Sequence, residues 1–269
     1  MKVSRIGRDG VRYEHHSTVN MLLHRKLSGL DETVKFRVGT LNVGTMRGRA
    51  GEVVETLTRR HIDICCVQEV RWRGASVRSI IGKDSMYKFF WVGNSLGTGG
   101  VGILLAEKWI DKVIAVNRVN DRIMVIKLIT GKSVVPVVSV YAPQSGLDDS
   151  LKDLFYDNLL AVVSKLGEKE IVLVSGDLNR HVGTSSSGYE GVHGGFGYGT
   201  RNPEGERILE FSDATEMIVA NTMFKKRDSR LVTYKSGNMK GYGMVRAFCP
   251  VIEGLYWWYF KLYMQSIIF

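Results

Sequence analysis

The feature that most constrains this chain is an apolar run that ends in an acid and an amide. Residues 171–174 are all apolar, and the motif Gly176-Asp177-Leu178-Asn179 follows one residue later. Such a run is typical of a buried strand, and side chains two positions apart on a strand-like segment point the same way. Asp177 and Asn179 can therefore face one water, metal ion or phosphate oxygen together. Alone the motif is weak, since Gly-Asp and Leu-Asn are also ordinary turn formers.

The alternation of apolar patterns along the chain favours an α/β fold. The sequence predicts strands at 36–42, 62–67, 101–106, 124–129, 134–141, 171–174, 217–221 and 230–234. It predicts helices at 50–60, 149–166 and 204–216, and a long Gly- and Ser-rich loop at 183–202. The apolar stripe of the middle helix comprises Leu151, Leu154, Phe155, Leu159, Val162 and Val163. Several strands are adjacent hairpins, so a sandwich of two sheets fits better than one parallel sheet.

The chain divides into three parts by composition. Residues 1–35 form a basic, loosely ordered N-terminal extension, residues 36–237 form the folded domain, and residues 238–269 form an aromatic-rich tail. The chain has 37 Lys and Arg against 27 Asp and Glu, a net charge of +10. This balance favours a polyanionic partner, with nucleic acid first and an acidic membrane surface second, although solubility alone remains the alternative.

The cysteines and the N-terminus indicate an intracellular protein. No Cys-x-x-Cys spacing occurs among the three cysteines, Cys65, Cys66 and Cys249, so we do not expect a structural zinc site. The pattern fits a protein of a reducing compartment. The N-terminus lacks an apolar signal core, and no apolar stretch reaches the about 20 residues that a membrane span needs. We expect no secretion and no membrane association, with the nucleus as a candidate compartment.

Four predicted strands end in polar groups suited to phosphodiester chemistry. These groups are Asn42, Glu69, Tyr141 and the pair Asp177 and Asn179. Hydrolysis of an anionic phosphodiester needs a cation, a positioned water and hydrogen-bond donors for the extra negative charge. Mg²⁺ takes only one or two carboxylates, a role that suits Glu69, while Asp177 can orient or deprotonate water. Each residue also has an ordinary reading, as a turn residue, a solvated charge or a packed ring.

Five short motifs, in order, resemble the endonuclease/exonuclease/phosphatase superfamily. They are Thr40-Leu41-Asn42-Val43, Val67-Gln68-Glu69-Val70-Arg71, Gly99-Gly100-Val101-Gly102-Ile103, Val140-Tyr141-Ala142-Pro143 and Gly176-Asp177-Leu178-Asn179. The run from Gly39 to Arg73 looks closest to craniofacial development protein 2-like proteins, which are similar to endonuclease domains of non-LTR retrotransposons. The resemblance covers about residues 36–237 and implies a four-layered α/β sandwich of two mixed β-sheets flanked by helices.

The resemblance also implies a role for each site residue. Glu69 would be the metal ligand with Asn42 beside it, and the cofactor would be Mg²⁺, with Mn²⁺ as a second candidate and no other small molecule. Tyr141 would stabilise the phosphorane, Asp177 would activate water, and Asn179 would hold a transition-state oxygen. The chain would then be a metal-dependent endonuclease acting on DNA, or on another nucleic acid. The superfamily also includes phosphatases of small phosphoesters, a third reading.

The likeness stops after Asn238. The superfamily pattern closes with an Asp and then a Ser-Asp-His, but the last Asp here is Asp228 and the last His is His193. We therefore expect the domain to lack its last strands and its activity to be impaired. The alternative is a catalytically inactive, domesticated or truncated relative that binds nucleic acid or protein. The aromatic tail can stack on bases, cover the sheet edge, or be non-native sequence from altered splicing or a frame change; the last is favoured.

Other polar segments have weaker functional readings. Arg71 and Arg73, and the run Lys225-Lys226-Arg227, are candidates for contact with a nucleic-acid backbone. His181 and His193 flank the Gly-rich loop and are interpreted as solvated. Gly97 to Gly102 matches a dinucleotide fingerprint by letter, but it leads into a strand-like segment, so a hairpin turn is expected instead.

Overall fold

A computed structural model describes residues 36–225 and the backbone of three later strands. These strands are Val232–Ser236, Met239–Tyr242 and Ala247–Pro250. The described segments form two large sheets, a separate two-stranded hairpin and three α-helices. Predicted Lys226 and Arg227 lie outside the described residues.

The first sheet has five strands in the order β1-β2-β5-β4-β3. Its strands are β1 (Val38–Asn42), β2 (Ile64–Gln68), β3 (Ala75–Ile81), β4 (Met86–Val92) and β5 (Val101–Ala106). Strands β1 and β2 are parallel, and every other neighbouring pair of this sheet is antiparallel. The turn from β4 to β5 contains Gly97 and Gly100, which confirms the hairpin prediction for this glycine-rich segment.

The second sheet has six strands in the order β10-β13-β9-β8-β7-β6. Its strands are β6 (Val113–Asn120), β7 (Ile123–Thr130), β8 (Ser133–Tyr141), β9 (Leu173–Asp177), β10 (Met217–Val219) and β13 (Ala247–Pro250). Only β8 and β9 are parallel within it. The hairpin β11 (Val232–Ser236) and β12 (Met239–Tyr242) stands apart from both sheets. Strand β13 comes from the segment predicted as a divergent tail, so this segment contributes one strand to the sandwich.

The three α-helices cover the outer faces of the sheets. They are α1 (Ala50–Arg59), α2 (Asp149–Val163) and α3 (Pro203–Ala214), and short 3-10 helices occupy Glu107–Lys112 and Ala220–Thr222. Helix α1 packs on the first sheet, and α2 and α3 pack on the second. Among the helices of the described residues, none has the length and apolar character that a bilayer crossing requires.

The alternation of side chains along buried strands produces the layers. On β2, Ile64 and Cys66 point between the two sheets, whereas Cys65 and Val67 point towards α1. Residues two apart on a strand share one face, so a strand covered on both sides is apolar throughout. The order of layers is helix, sheet, sheet, helices, which confirms the predicted four-layered sandwich of two mixed sheets.

Some sequence predictions of local structure were wrong. Strands β3, β4 and β6 were not predicted; only Ile80 of β3 is buried, so this strand lacks the alternation that marks a half-buried strand. The apolar stripe of α2 was drawn too wide, because Phe155 and Leu159 are buried but Leu151 and Leu154 are 47% and 57% exposed.

An arginine joins the two sheets at their outer strands. Arg118 of β6 donates from Nε to the carbonyl oxygen of Trp91 and from Nη2 to that of Ser76, both at 3.1 Å. Ser76 lies on β3 and Trp91 on β4, so one guanidinium ties the edge of the second sheet to the edge region of the first.

Candidate active site

The two parallel strand pairs of the sandwich end at the same place. Asn42 is the last residue of β1, and Glu69 comes directly after β2. Tyr141 and Asp177 are the last residues of β8 and β9 and are paired across the parallel ladder. The Nδ2 atom of Asn42 lies 3.3 Å from Oδ2 of Asp177, so the strand ends of the first sheet meet those of the second. The structure thus brings together the polar residues predicted from four separate strand ends.

Glu69 accepts hydrogen bonds from three side chains. Its Oε1 accepts from Asn42 Nδ2 and from the Tyr141 hydroxyl, each at 3.0 Å, and its Oε2 accepts from Arg71 Nη2 at 2.7 Å. Burial raises the pKa of Glu69, but the hydrogen bonds from Asn42, Arg71 and Tyr141 and the charge of Arg71 outweigh burial and lower the pKa overall. The carboxylate is therefore ionised at neutral pH.

Asp177 accepts one hydrogen bond from the backbone and one from a side chain. It is 4% exposed, its Oδ1 accepts from the Asn179 backbone N–H at 3.1 Å, and its Oδ2 accepts from Asn42. The glycine before it is required, since a Cβ at Gly176 would lie 1.9 Å from the carbonyl oxygen of Val140 on β8. Asp177 can therefore sit deep between two strands only because Gly176 lets them approach.

Asn179 turns the chain away from the sheet. Its φ of 53° is left-handed, a conformation that Asn adopts more readily than most residues. Its Nδ2 donates to the Ala142 carbonyl oxygen at 2.9 Å, which pins the loop after β8 to the loop after β9. One hydrogen of the amide nitrogen is thus used in this contact.

Asn42 bridges the two acids. Its Nδ2 donates to both Glu69 and Asp177, while its Oδ1 accepts from the Gly44 backbone N–H at 3.0 Å. The side chain therefore presents its donor, not its acceptor, to the centre of the site. In this arrangement Asn42 holds the two carboxylates together, and metal ligation through Oδ1 stays a prediction.

Tyr141 is a phenol that keeps its proton. Burial, the charge of Glu69 and the hydrogen bond to Glu69 raise the pKa of Tyr141 to about 12. The Arg122 guanidinium lies 5.4 Å from the ring centre and donates to the Tyr141 carbonyl oxygen at 3.2 Å. Tyr141 is therefore fixed as a hydrogen-bond donor at neutral pH.

The donor set fits a hard divalent cation. Glu69 and Asp177 share one amide, and Arg71 is the cation directly paired with either of them in the described residues. Two carboxylates supplemented by water match the ligand preference of Mg²⁺. No cluster of three or more His, Cys, Asp or Glu suited to a metal occurs in residues 36–225, so a cation here would depend on these two acids.

Basic residues gather at the turn that contains Gly97. A Cβ at Gly97 would lie 2.9 Å from Arg47 Nη2 and 3.2 Å from Arg73 Cγ, so both arginines approach the same turn, next to Arg71. Sequence reasoning proposed Arg71 and Arg73 but missed Arg47 and Arg122, whose positions depend on loops that cross from other strands. Lys225 is exposed near the end of the continuous described segment.

The interpretation of His193 as solvated was wrong. This residue is 1% exposed; its Nδ1 accepts from Gly195 N at 3.0 Å, and its Nε2 lies 3.2 Å from the Gly183 carbonyl oxygen. Burial lowers its pKa, so the neutral ring is favoured. His193 therefore stabilises the Gly-rich loop through its contacts with Gly183 and Gly195. His181 is partly exposed.

Sequence comparison agrees with the fold and with the grouping of these residues. Residues 39–204 match the Endonuclease/Exonuclease/phosphatase family, and this segment is more than half of the chain. The chain belongs to this family and has its nuclease and phosphatase fold.

Particular relatives support the same assignment. Craniofacial development protein 2 of Bos taurus is 28% identical over 203 residues, covering 75% of this chain and 33% of that protein. The chain thus spans about a third of the length of this curated relative.

Solved structures share the fold at low sequence identity. The endonuclease domain of TRAS1, a telomere-specific non-LTR retrotransposon, has a TM-score of 0.51 and 17% identity, covering 80% of this chain and 85% of that domain. The 3' phosphatase NExo from Neisseria, bound to product DNA hairpin, has a TM-score of 0.57 and 13% identity, covering 80% and 87%. These neighbours show that the chain shares its fold with both proteins.

Proposed function

We propose that this chain is a divalent-metal-dependent phosphodiesterase of the retrotransposon-endonuclease type that acts on DNA. The observation that carries the proposal is the bridge from Asn42 to Glu69 and Asp177, which puts two carboxylates from different sheets at one point. Mg²⁺ is the proposed cofactor, with Mn²⁺ as a substitute. A bound cation would supply charge neutralisation at the phosphate, and Glu69 would hold it.

The chain's own residues would then position water and the phosphate. Asp177 is a buried carboxylate that can accept a proton from a water molecule. Tyr141 retains its proton and can donate a hydrogen bond to a phosphate oxygen. Asn42 keeps the acid of one sheet at a fixed distance from the acid of the other, so the geometry exists before substrate binds.

The proposal of DNA as substrate rests on charge and on similar proteins. The net charge of +10 and the arginines at 47, 71 and 73 suit a phosphate backbone. One structural neighbour is described as bound to product DNA hairpin, and another is an endonuclease domain. We propose a nucleic-acid partner and a nuclear location on the same grounds of charge and similarity.

A plasmid-nicking assay with and without Mg²⁺ tests the proposal. Asp177→Asn should lower the nicking rate at least about 100-fold, the usual scale for losing an acid–base group. Glu69→Gln should lower it by a similar factor, because it removes the carboxylate that would hold the cation. Asp157→Asn, the same change at an exposed position of α2, is the matched control and should leave the rate unchanged. Nicking that persists in both site variants would mean that these residues do not carry the reaction.

The alternative is a relative that binds nucleic acid or a protein partner without efficient cleavage. It rests on residues 238–269, which contain neither Asp nor His, so the closing motifs of the superfamily are not found there. In a catalytic group that acts as a unit, one missing member removes most of the rate. Robust turnover by the chain would exclude this alternative, whereas a band shift on a DNA duplex without any nicking would support it.

A further inference from the structure

We propose that Arg71 is an internal counter-ion of the site, which occupies Oε2 of Glu69 and must leave before a divalent cation binds there. Arg71 would then lower the metal affinity of the free protein. This inference rests on the proposed function, because it takes Glu69 as the carboxylate that binds the cation.

The two oxygens of Glu69 have different partners. Oε1 accepts two hydrogen bonds from neutral donors, Asn42 Nδ2 and the Tyr141 hydroxyl. Oε2 accepts from Arg71 Nη2, at 2.7 Å, the shorter and charge-assisted contact. The neutral donors can stay in place while the cationic one is exchanged. A metal ion that binds Oε2 would therefore replace the Arg71 guanidinium, which is a positive charge already present there.

Arg71 can leave without disturbing the core. Its side chain is 48% exposed, whereas that of Glu69 is 16% exposed. The guanidinium can turn into water, where it remains fully hydrated, while the carboxylate stays fixed by Asn42 and Tyr141. An ion pair with one exposed partner contributes little to folding stability. Stability alone therefore gives little reason for a charge at this position.

The backbone nevertheless aims Arg71 at Glu69. Both residues have left-handed φ values, 54° and 55°, which are uncommon away from glycine. Val70 between them is fully buried and anchors the turn. The Arg71 N–H donates to the Gly99 carbonyl oxygen at 2.7 Å, and the Arg71 carbonyl oxygen accepts from Arg47 Nε at 3.0 Å. Hydrogen bonds to the N–H and the carbonyl oxygen of Arg71 thus hold these uncommon backbone conformations. The resulting turn directs the side chains of Glu69 and Arg71 to the same side.

Electrostatics makes occupation of Oε2 exclusive. A guanidinium and a divalent ion on the same oxygen would be only a few ångströms apart and would repel each other. Binding of the ion therefore requires the Arg71 contact to break. The released guanidinium is then available for an anionic group, which is the nucleic-acid role that the sequence predicts for Arg71.

Titration of the full chain with Mn²⁺, with free Mn²⁺ followed by electron paramagnetic resonance, tests the inference. Arg71→Gln should bind Mn²⁺ about fivefold more tightly than the unmodified chain, a change on the scale of one partly exposed ion pair. Arg71→Lys, which keeps the positive charge, should stay closer to the unmodified chain than Arg71→Gln. Arg73→Gln removes one charge from the same loop without contact to Glu69 and should change the affinity by less than about twofold.

The outcomes separate this inference from the proposed function. If Glu69→Gln abolishes Mn²⁺ binding but Arg71→Gln binds no more tightly than Arg73→Gln, Arg71 does not compete with the ion. If Glu69→Gln binds as well as the unmodified chain, Glu69 is not the metal ligand and the proposed function itself fails. Thermal melting in EDTA checks that each variant is folded; if Arg71→Gln unfolds, Arg71 is a structural residue and the inference is overturned.

Discussion

The two parallel strand pairs have the same plan but hold their acids differently. In the pair β1 and β2, Asn42 ends the first strand and Glu69 follows the second. In the pair β8 and β9, Tyr141 ends the first strand and Asp177 ends the second. Glu69 accepts from three side chains and lies in a loop, whereas Asp177 lies at a strand end and accepts from one side chain and one backbone N–H.

Neither strand pair forms a complete site without the other. Asn42 of the first sheet donates to Asp177 of the second, and Tyr141 of the second sheet donates to Glu69 of the first. Each neutral residue thus serves an acid across the interface between the sheets. Correct packing of the two sheets is therefore a condition for the site, and not only for stability.

The largest expected effect comes from replacing a glycine by alanine in each of the two parallel strand pairs. Gly176→Ala puts a Cβ 1.9 Å from a backbone oxygen of β8, which cannot move aside, so the β8 and β9 ladder should break. We expect a loss of at least about 3 kcal/mol in the free energy of unfolding, or no folded protein. Gly39→Ala in β1 meets only the Ile62 side chain, at 3.3 Å, and should cost less than about 1.5 kcal/mol.

Urea unfolding measures both glycine variants. Equal stabilities of the two variants would show that the β8 and β9 pair does not need the close approach of Gly176 to Val140.

A smaller effect is expected from a third carboxylate at the bridge. Asn42→Asp would replace the donor to Glu69 and Asp177 by a repelling charge, and should lower the free energy of unfolding by about 2 kcal/mol in EDTA. Mg²⁺ should restore part of this loss, because a cation offsets the added charge.

Thermal melting in EDTA and in MgCl₂ measures this response. Asn117→Asp, the same change at an exposed position of β6, should respond to neither condition. A melting temperature of Asn42→Asp that is independent of Mg²⁺ would argue against a cation between the acids.

The smallest effect separates two phenols, Tyr141 of β8 and Tyr87 of β4, that each donate one hydrogen bond. Tyr141→Phe removes a donor to Glu69, and Tyr87→Phe removes a donor to the Ile62 carbonyl oxygen at 2.6 Å. Each should cost about 1 kcal/mol in the free energy of unfolding. Only Tyr141→Phe should lower the nicking rate, by about tenfold, the rate equivalent of one hydrogen bond.

Unfolding and nicking assays on the two phenylalanine variants make the test. Equal nicking rates for both variants would assign Tyr141 a purely structural role.

The sequence predicts which polar side chains meet at the strand ends, because each of them ends an apolar run. Glu69 and Asp177 are visible as acids that follow buried strands, and their common edge follows from the resemblance. The bridge from Asn42 to Asp177 joins positions 135 residues apart, and no local pattern encodes such a contact. The pairing of Arg71 with Glu69 depends on two left-handed residues, neither of which is glycine. The helices and most buried strands were predicted and β3 was missed for one reason, since only burial leaves a periodic pattern.

The arginine that joins the sheets also has a consequence for self-association. Strands β3 and β6 are the outermost strands of their sheets, and an unpaired outer strand can recruit another chain by backbone hydrogen bonding. Arg118 places a charge between these two strands and occupies carbonyl oxygens of Ser76 and Trp91. A chain that pairs with either strand would meet this charge, so the same contact that closes one end of the sandwich discourages aggregation there.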